Sequence, residues 1–82
     1  MWHVYFLSLQ NGDVYVGSTN DLRRRIVSHK KGEVTSTKTH LPVTLESYAA
    51  VRTEKHAREL EKDFESGSGK AFAAKRFWSP SS

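Results

Sequence analysis

What most constrains this chain lies at its start, where two short segments rich in aromatic and β-branched residues, residues 2–9 and 14–17, flank Asn11-Gly12-Asp13. Segments of this kind joined by Asn-Gly read as a β-hairpin. Side chains alternate between the two faces of a strand, so the length of the connection decides which residues share a face. A two-residue turn at Asn11-Gly12 would pair Gln10 with Asp13 and send Tyr5 and Tyr15 to opposite faces. An odd-length connection places both tyrosines on one face and leaves Val4, Phe6, Val14 and Val16 on the other. The spacing therefore predicts a three-residue loop, Asn11-Gly12-Asp13, or an equivalent bulge, if the two hydroxyls are to serve one site.

A chain of 82 residues has room for one domain with a modest core, because small chains bury a lower fraction of their surface. Residues 1–78 are expected to form that domain and 79–82, Ser-Pro-Ser-Ser, a frayed tail. There is no cysteine, which excludes a thiolate metal site and a cysteine nucleophile. Apolar stretches are short and no basic-then-apolar leader is present, so neither a membrane span nor a secretory signal is expected, and a cytoplasmic location is. Net charge is +4, with most of the excess before residue 43, which suits a polyanionic partner such as nucleic acid.

Beyond the hairpin the period becomes helical. Asn20 or Asp21 can cap a helix over residues 21–31, in which Leu22 and Ile26 stack at i,i+4, and Gly32 stops it. Residues 33–42, with Thr35, Ser36, Thr37, Thr39, Lys38 and His40, read as a long exposed loop of the kind that often carries function. Residues 43–51 read as a third strand. Thr53 then caps a second helix through about Glu65, broken by Ser66-Gly67-Ser68-Gly69, and a short last helix is expected over residues 70–77.

Helical geometry singles out particular side chains. On the first helix Arg25 and His29 lie together along one rim of the Leu22-Ile26 stripe, whereas Arg23 and Arg24 project away from it. On the second, Ala57, Leu60 and Phe64 form the stripe and Glu61 is the acid nearest to it, with Glu59 and Asp63 turned toward solvent. A rim acid and a rim Arg-His pair on two helices packed against one sheet can converge on a single cleft, as metal-assisted phosphate chemistry requires. His3, His40 and His56 have no partners at metal-ligand spacing and read as surface or loop residues. Ser66-Gly67-Ser68-Gly69-Lys70 does not complete a nucleotide-binding loop, because Phe64 stands at the first glycine position and Ala71 follows the lysine.

In this order the residues resemble the GIY-YIG nuclease domain family, in particular its short standalone bacterial members. His3-Val4-Tyr5 stands at the first signature tripeptide and Tyr15-Val16-Gly17 at the second. Gly17-Ser18-Thr19-Asn20-Asp21-Leu22 leads into Arg25 and His29, and residues 53–61 are similar to the helix that bears the family's metal-binding glutamate. His3 replaces the first glycine, and Glu65 stands where lysine is more frequent. The resemblance implies an α/β fold, a small central three-stranded antiparallel sheet flanked by about three helices, and phosphodiester hydrolysis of DNA dependent on Mg²⁺ or Mn²⁺, with Tyr5, Tyr15, Arg25, His29 and Glu61 as the catalytic set. Glu61 would hold the metal, Arg25 would stabilise the phosphate oxygens, and Tyr15 would activate water with Tyr5 positioning it or assisting, the alternative being that His29 accepts the proton itself or hydrogen-bonds one of the tyrosines. Arg23, Arg24, Lys30, Lys31, Lys38 and Lys70 are candidate DNA contacts. Substrate choice is expected from DNA shape, oligomerisation or a partner protein, in DNA repair, recombination or mobile elements. Two other readings stand beside this one: a non-catalytic basic nucleic-acid-binding module, and an interaction domain docking through Phe72, Phe77 and Trp78.

Overall fold

The computed structural model describes residues 1–65. The expected last helix, Lys70, the Phe72-Phe77-Trp78 docking end and the tail lie outside the described residues.

The hairpin closes on an odd-length loop, one residue earlier than the sequence predicts. Strand β1 (Trp2–Ser8) pairs antiparallel with β2 (Val14–Thr19). Between them the Gly12 N–H donates to the Leu9 carbonyl at 2.9 Å and the Leu9 N–H donates to the Asp13 carbonyl at 2.9 Å. The loop is therefore Gln10-Asn11-Gly12, a turn completed by Gly12 at φ 88°, a left-handed conformation that glycine adopts without steric cost. The Asn11 side chain accepts the Asp13 N–H at 3.0 Å, which fixes where the loop sits. Face sharing is as expected: Leu7 lies opposite Tyr15 and Tyr5 opposite Gly17, whereas Phe6 faces Val16 and Ser8 faces Val14.

Strand β3 (Thr44–Val51) pairs antiparallel with the free side of β1, giving the order β2-β1-β3. The register slips between Phe6 and Leu7, so that Tyr48 lies opposite Tyr5 and Leu45 opposite Leu7. This bulge returns Leu45 to the face of Leu7 although the two β3 residues are an odd number apart.

Central position explains the unbroken run Val4-Tyr5-Phe6-Leu7, in which no residue is more than 2% exposed. Both faces of β1 are covered. Helix α1 (Leu22–Lys30) lies on the Tyr5-Leu7-Tyr15 face, where Ile26, Leu22, Val43 and Leu45 complete a core. Helix α2 (Glu54–Glu65) lies on the opposite face and packs Ala57, Leu60 and Phe64 against Val4, Phe6 and Val16. The Asp21 side chain accepts the Arg24 N–H at 3.2 Å and Thr53 Oγ1 accepts the His56 N–H at 3.1 Å; each cap stabilises its helix by about 1 kcal/mol. Gly32, at φ 77°, ends α1 by donating to the His29 carbonyl while the Glu33 N–H reaches the Ser28 carbonyl, as in a Schellman motif.

Two sequence expectations need correction. The segment 33–42 is not simply exposed: Val34 and Thr37 are buried, and Lys38–His40 forms a short 3₁₀ turn. This segment folds back under α1, and its composition does not reveal that. His3 is not a surface residue either. It is half-buried within β1, its ring edge-on to Tyr48 with centroids 5.8 Å apart, and its Nδ1 has no hydrogen-bond partner among the described residues.

Candidate active site

Four of the five expected site residues meet on the α1 face of the sheet. Tyr5 projects from the middle of β1 and tips toward β2, which carries Gly17 directly opposite. The absence of a side chain at Gly17 makes this possible, because an added Cβ would lie 2.4 Å from the Tyr5 hydroxyl oxygen. The Tyr5 hydroxyl lies 2.9 Å from His29 Nε2 and accepts the Arg25 Nε–H at 3.4 Å. Tyr15 closes the group, with its ring centroid 5.1 Å from that of His29 and 6.3 Å from that of Tyr5.

His29 occupies a different place from the rim position that helical periodicity assigns to it. It is fully buried, and its Nδ1 meets Thr37 Oγ1 at 2.8 Å. The segment beyond Gly32 supplies the missing wall, and a period of 3.6 residues cannot register what packs over a helix from another part of the chain. Arg25 does remain at the exposed rim.

Burial and charge set the protonation states. Burial is the largest influence on Tyr5 and raises its hydroxyl to about 12, against the smaller opposing effect of the Arg25 hydrogen bond. Burial and then the Arg25 charge lower His29 to about 4. The hydrogen bond to Tyr5 raises Arg25 above its ordinary value, so it stays charged. At neutral pH the arrangement is a cation, a neutral phenol and a neutral imidazole in a row.

A consequence can be measured in the folded protein. The unfolded chain takes up the His29 proton near pH 6.5 and the folded chain near 4, so the unfolded state binds more protons in that window and stability falls with acidification. One proton makes the slope at most about 1.4 kcal/mol per pH unit. Urea unfolding between pH 7 and 4 is expected to show this loss in wild type, and to show it diminished by that proton in His29→Gln, which cannot titrate.

Glu61 reaches the site by another route. Because α1 and α2 cover opposite faces of the sheet, Glu61 comes to β2 from the α2 side. Glu61 is half-buried and accepts the Ser18 hydroxyl proton at 2.5 Å, one residue past Gly17 on β2, which forms an edge of the sheet. Its charge is felt at Tyr5, where it adds a small upward influence on the hydroxyl. Glu59 and Asp63 are exposed, as expected.

The basic candidates split by position. Arg24 and Arg25, with Thr19, Asn20, Asp21 and Ser28, line an open cavity of about 290 Å³ beside the Tyr5-Arg25 contact. Arg23, Arg24 and Lys31 line a wider groove along the outer side of α1. Lys30 and Lys38 are exposed. Glu65 is exposed at the last residue of α2.

Sequence reading missed Thr37 and Ser18. Thr37 is one of four hydroxyl residues in the segment after α1, and nothing local distinguishes it from Thr35, Ser36 or Thr39. Ser18 adjoins the second aromatic tripeptide, so position was its only signal.

A UPF0213 protein of Xanthomonas campestris pv. campestris is 52% identical over 31 residues, which is 38% of this chain and 30% of that protein. A UPF0213 protein of Serratia liquefaciens is 47% identical over 32 residues, 39% of this chain and 31% of its own length. The matched part of the chain thus spans about a third of the length of these relatives. The solution NMR structure of the UPF0213 protein BH0048 of Bacillus halodurans superposes with a TM-score of 0.58 at 24% identity, covering 95% of this chain and 88% of that one, and shows the same fold. The GIY-YIG catalytic domain model matches residues 1–73, a span that holds both aromatic strands, the Arg25-His29 helix and Glu61. The chain belongs to the GIY-YIG catalytic domain family.

Proposed function

We propose that this protein is a divalent-metal-dependent DNA endonuclease that selects its substrate by DNA structure. One observation carries the reading: the hydrogen-bonded row Arg25-Tyr5-His29 opens beside a cavity with a second arginine, within the span that the GIY-YIG catalytic domain model matches. Members of this family are generally endonucleases that use divalent metals on DNA.

The donor set fits a hard cation. Among the described residues no group of three or more His, Cys, Asp and Glu side chains could hold a metal, which disfavours a tightly caged zinc. Glu61, steadied by Ser18, offers one carboxylate, and Mg²⁺ or Mn²⁺ is commonly held by one or two carboxylates together with water and substrate phosphate oxygens. A cation bound there would supply positive charge to offset that of the scissile phosphate and its leaving oxygen.

The chain's own groups divide the remaining work. Arg25 spends its Nε–H on Tyr5, which leaves the terminal nitrogens of its planar fork to bind phosphate oxygens as charge develops on them. Arg24 adds a second cation in the same cavity. Tyr15 orients the attacking water. Tyr5, with a hydroxyl that ionises only near pH 12, is a poor base alone; it accepts the water proton while passing its own to His29 Nε2, so a free phenolate never accumulates. His29 is disposed to remain neutral in the free protein, and negative phosphate beside Arg25 relieves part of that penalty in the complex.

Arg23, Lys30, Lys31 and Lys38 extend the phosphate-binding surface. Such contacts position a duplex without reading bases, so recognition falls to DNA shape and deformability. Roles in repair, recombination or mobile elements, and a partner protein or second copy that sharpens selectivity, follow by analogy with the family.

The test is a cleavage panel of linear, nicked, flapped and branched DNA with Mg²⁺ or Mn²⁺. Wild type should cut at least one branched or nicked form. Cleavage no greater than that of Glu61→Ala on every substrate overturns the reading, and salt-dependent binding without cleavage would favour the non-catalytic module instead.

A further inference from the structure

We propose that Tyr48, braced by His3, is a stacking platform for an unpaired nucleobase next to the phosphate that Arg24 and Arg25 hold. The substrate class is then DNA in which one strand leaves the duplex beside the scissile bond, as in a flap; the catalytic meaning of the platform rests on the nuclease reading above.

Tyr48 stands on β3 directly opposite Tyr5, so it shares the α1 face of the sheet. Tyr5 is buried there, yet Tyr48 is 55% exposed. A lone exposed ring has no meaning by itself; its surroundings supply one. His3, two residues before Tyr5 on the same face, sets its ring edge-on to Tyr48 with centroids 5.8 Å apart. Its Nδ1 has no hydrogen-bond partner among the described residues, so the Tyr48 ring is the contact that orients it. An aromatic ring held in place beforehand loses less freedom when a ligand stacks on it. Ala50, opposite His3 on the same face, is exposed and extends only a methyl group, which leaves the surface beside Tyr48 open.

One residue joins this platform to the cationic cavity. Across β1, His3 lies opposite Thr19, and Thr19 lines the cavity shared by Arg24 and Arg25. Neighbouring strands lie about 4.8 Å apart, so about 10 Å separates β3 from β2 across β1. A phosphate in the cavity and the base of the same or the next nucleotide on Tyr48 span that gap. Asp21, the acid lining the cavity, is committed to capping α1 through the Arg24 N–H at 3.2 Å, so the two arginines set the local charge. A flat ring beside two guanidinium groups matches a ligand that is aromatic at one end and anionic at the other, which describes a nucleotide. An apolar peptide would leave the arginines unused. In a continuous duplex each base is already stacked on its neighbours, and Tyr48 reaches a base face only where the strand has left the helix.

Binding measured without divalent metal isolates this contact from cleavage. The probes for the full chain are a flapped duplex, a continuous duplex of equal length, and the flapped duplex with 2-aminopurine at the first unpaired position. Wild type should prefer the flapped form by about tenfold, the scale of one base stacked on an aromatic side chain, and should quench the 2-aminopurine. Tyr48→Ala should lose both the preference and the quenching, whereas Tyr48→Phe, which keeps the ring, should retain both. Wild type that binds the two duplexes equally overturns the proposal, and so does Tyr48→Ala with preference and quenching intact. Tyr48→Phe that loses as much as Tyr48→Ala also overturns it, by assigning the effect to the hydroxyl. A wild-type dimer that Tyr48→Ala breaks, with flap preference unaltered, overturns it in favour of a second copy of the chain on this face. The wild-type and phenylalanine measurements decide the question even where the alanine variant does not fold. Failure of the nuclease reading looks different: no DNA is cut with Mg²⁺ or Mn²⁺ while the Tyr48-dependent flap preference persists, which upholds the platform.

Discussion

Arg25→Ala is expected to lower the cleavage rate by about two to three orders of magnitude, the usual loss when a preorganised donor to a developing oxyanion is removed, with little change in stability. The side chain is exposed, so its loss opens no core cavity, and losing its hydrogen bond to the buried Tyr5 hydroxyl should shift unfolding by about 1 kcal/mol. Arg25→Lys should fare almost as badly. A single ammonium cannot occupy the Nε position against Tyr5 and also present a planar fork to phosphate. A further signature separates this role from generic positive charge: Arg25 helps to lower His29, so either measurement on Arg25→Ala, cleavage or an NMR titration, should register its absence, the second as an upward move of His29. Wild-type cleavage by Arg25→Lys would reduce Arg25 to one charge among several.

The second large effect is expected from the addition of a single methyl group. Gly17→Ala should destabilise the fold by about 2–3 kcal/mol, as overpacking a rigid site does, and should cut cleavage at least about tenfold through displacement of Tyr5. The new Cβ would stand 2.4 Å from the Tyr5 oxygen, 2.5 Å from Cζ and 3.0 Å from Cε1. A flexible side-chain end would swing aside, but Tyr5 is buried and its hydroxyl is held by His29 and Arg25. Backbone strain is not the cause, since the positive-φ glycines among the described residues are Gly12 and Gly32. Urea unfolding measures the first effect. Equal stability of Gly17→Ala and wild type would mean that Tyr5 has room to retreat, and that the Tyr5-His29 contact is less fixed than its geometry indicates. In a double-mutant cycle, Gly17→Ala and Tyr5→Leu should be strongly non-additive, because the second removes the atoms that the first strikes.

The two predictions share a lesson about how a small domain builds a site. Tyr5 is a core residue whose hydroxyl also centres the hydrogen-bonded row, and His29 likewise sits fully buried while its nitrogens complete it. In so small a chain the apolar interior and the candidate site occupy the same few side chains. Substitutions at Tyr5 or His29 are therefore read poorly by activity alone, whereas Arg25 at the rim separates the two.

Much of this was legible in the linear chain. Strand alternation across Asn11-Gly12 required an odd loop if Tyr5 and Tyr15 were to share a face, and local hydrogen-bonding preferences at Asp21, Gly32 and Thr53 located the helix ends. Periodicity alone picked Glu61 over Glu59 and Asp63. These are short-range properties, governed by turn chemistry, capping and the geometry of one element at a time. What only the tertiary structure decided was how separate elements meet. The helices cover opposite faces of the sheet, so Glu61 arrives beside Ser18 from the side away from His29. The segment after Gly32 folds back to bury His29 against Thr37, and the bare backbone of Gly17 makes room for the ring of Tyr5. Such contacts depend on packing between residues far apart in sequence, and no local pattern of residues encodes which hydroxyl will lie against which imidazole.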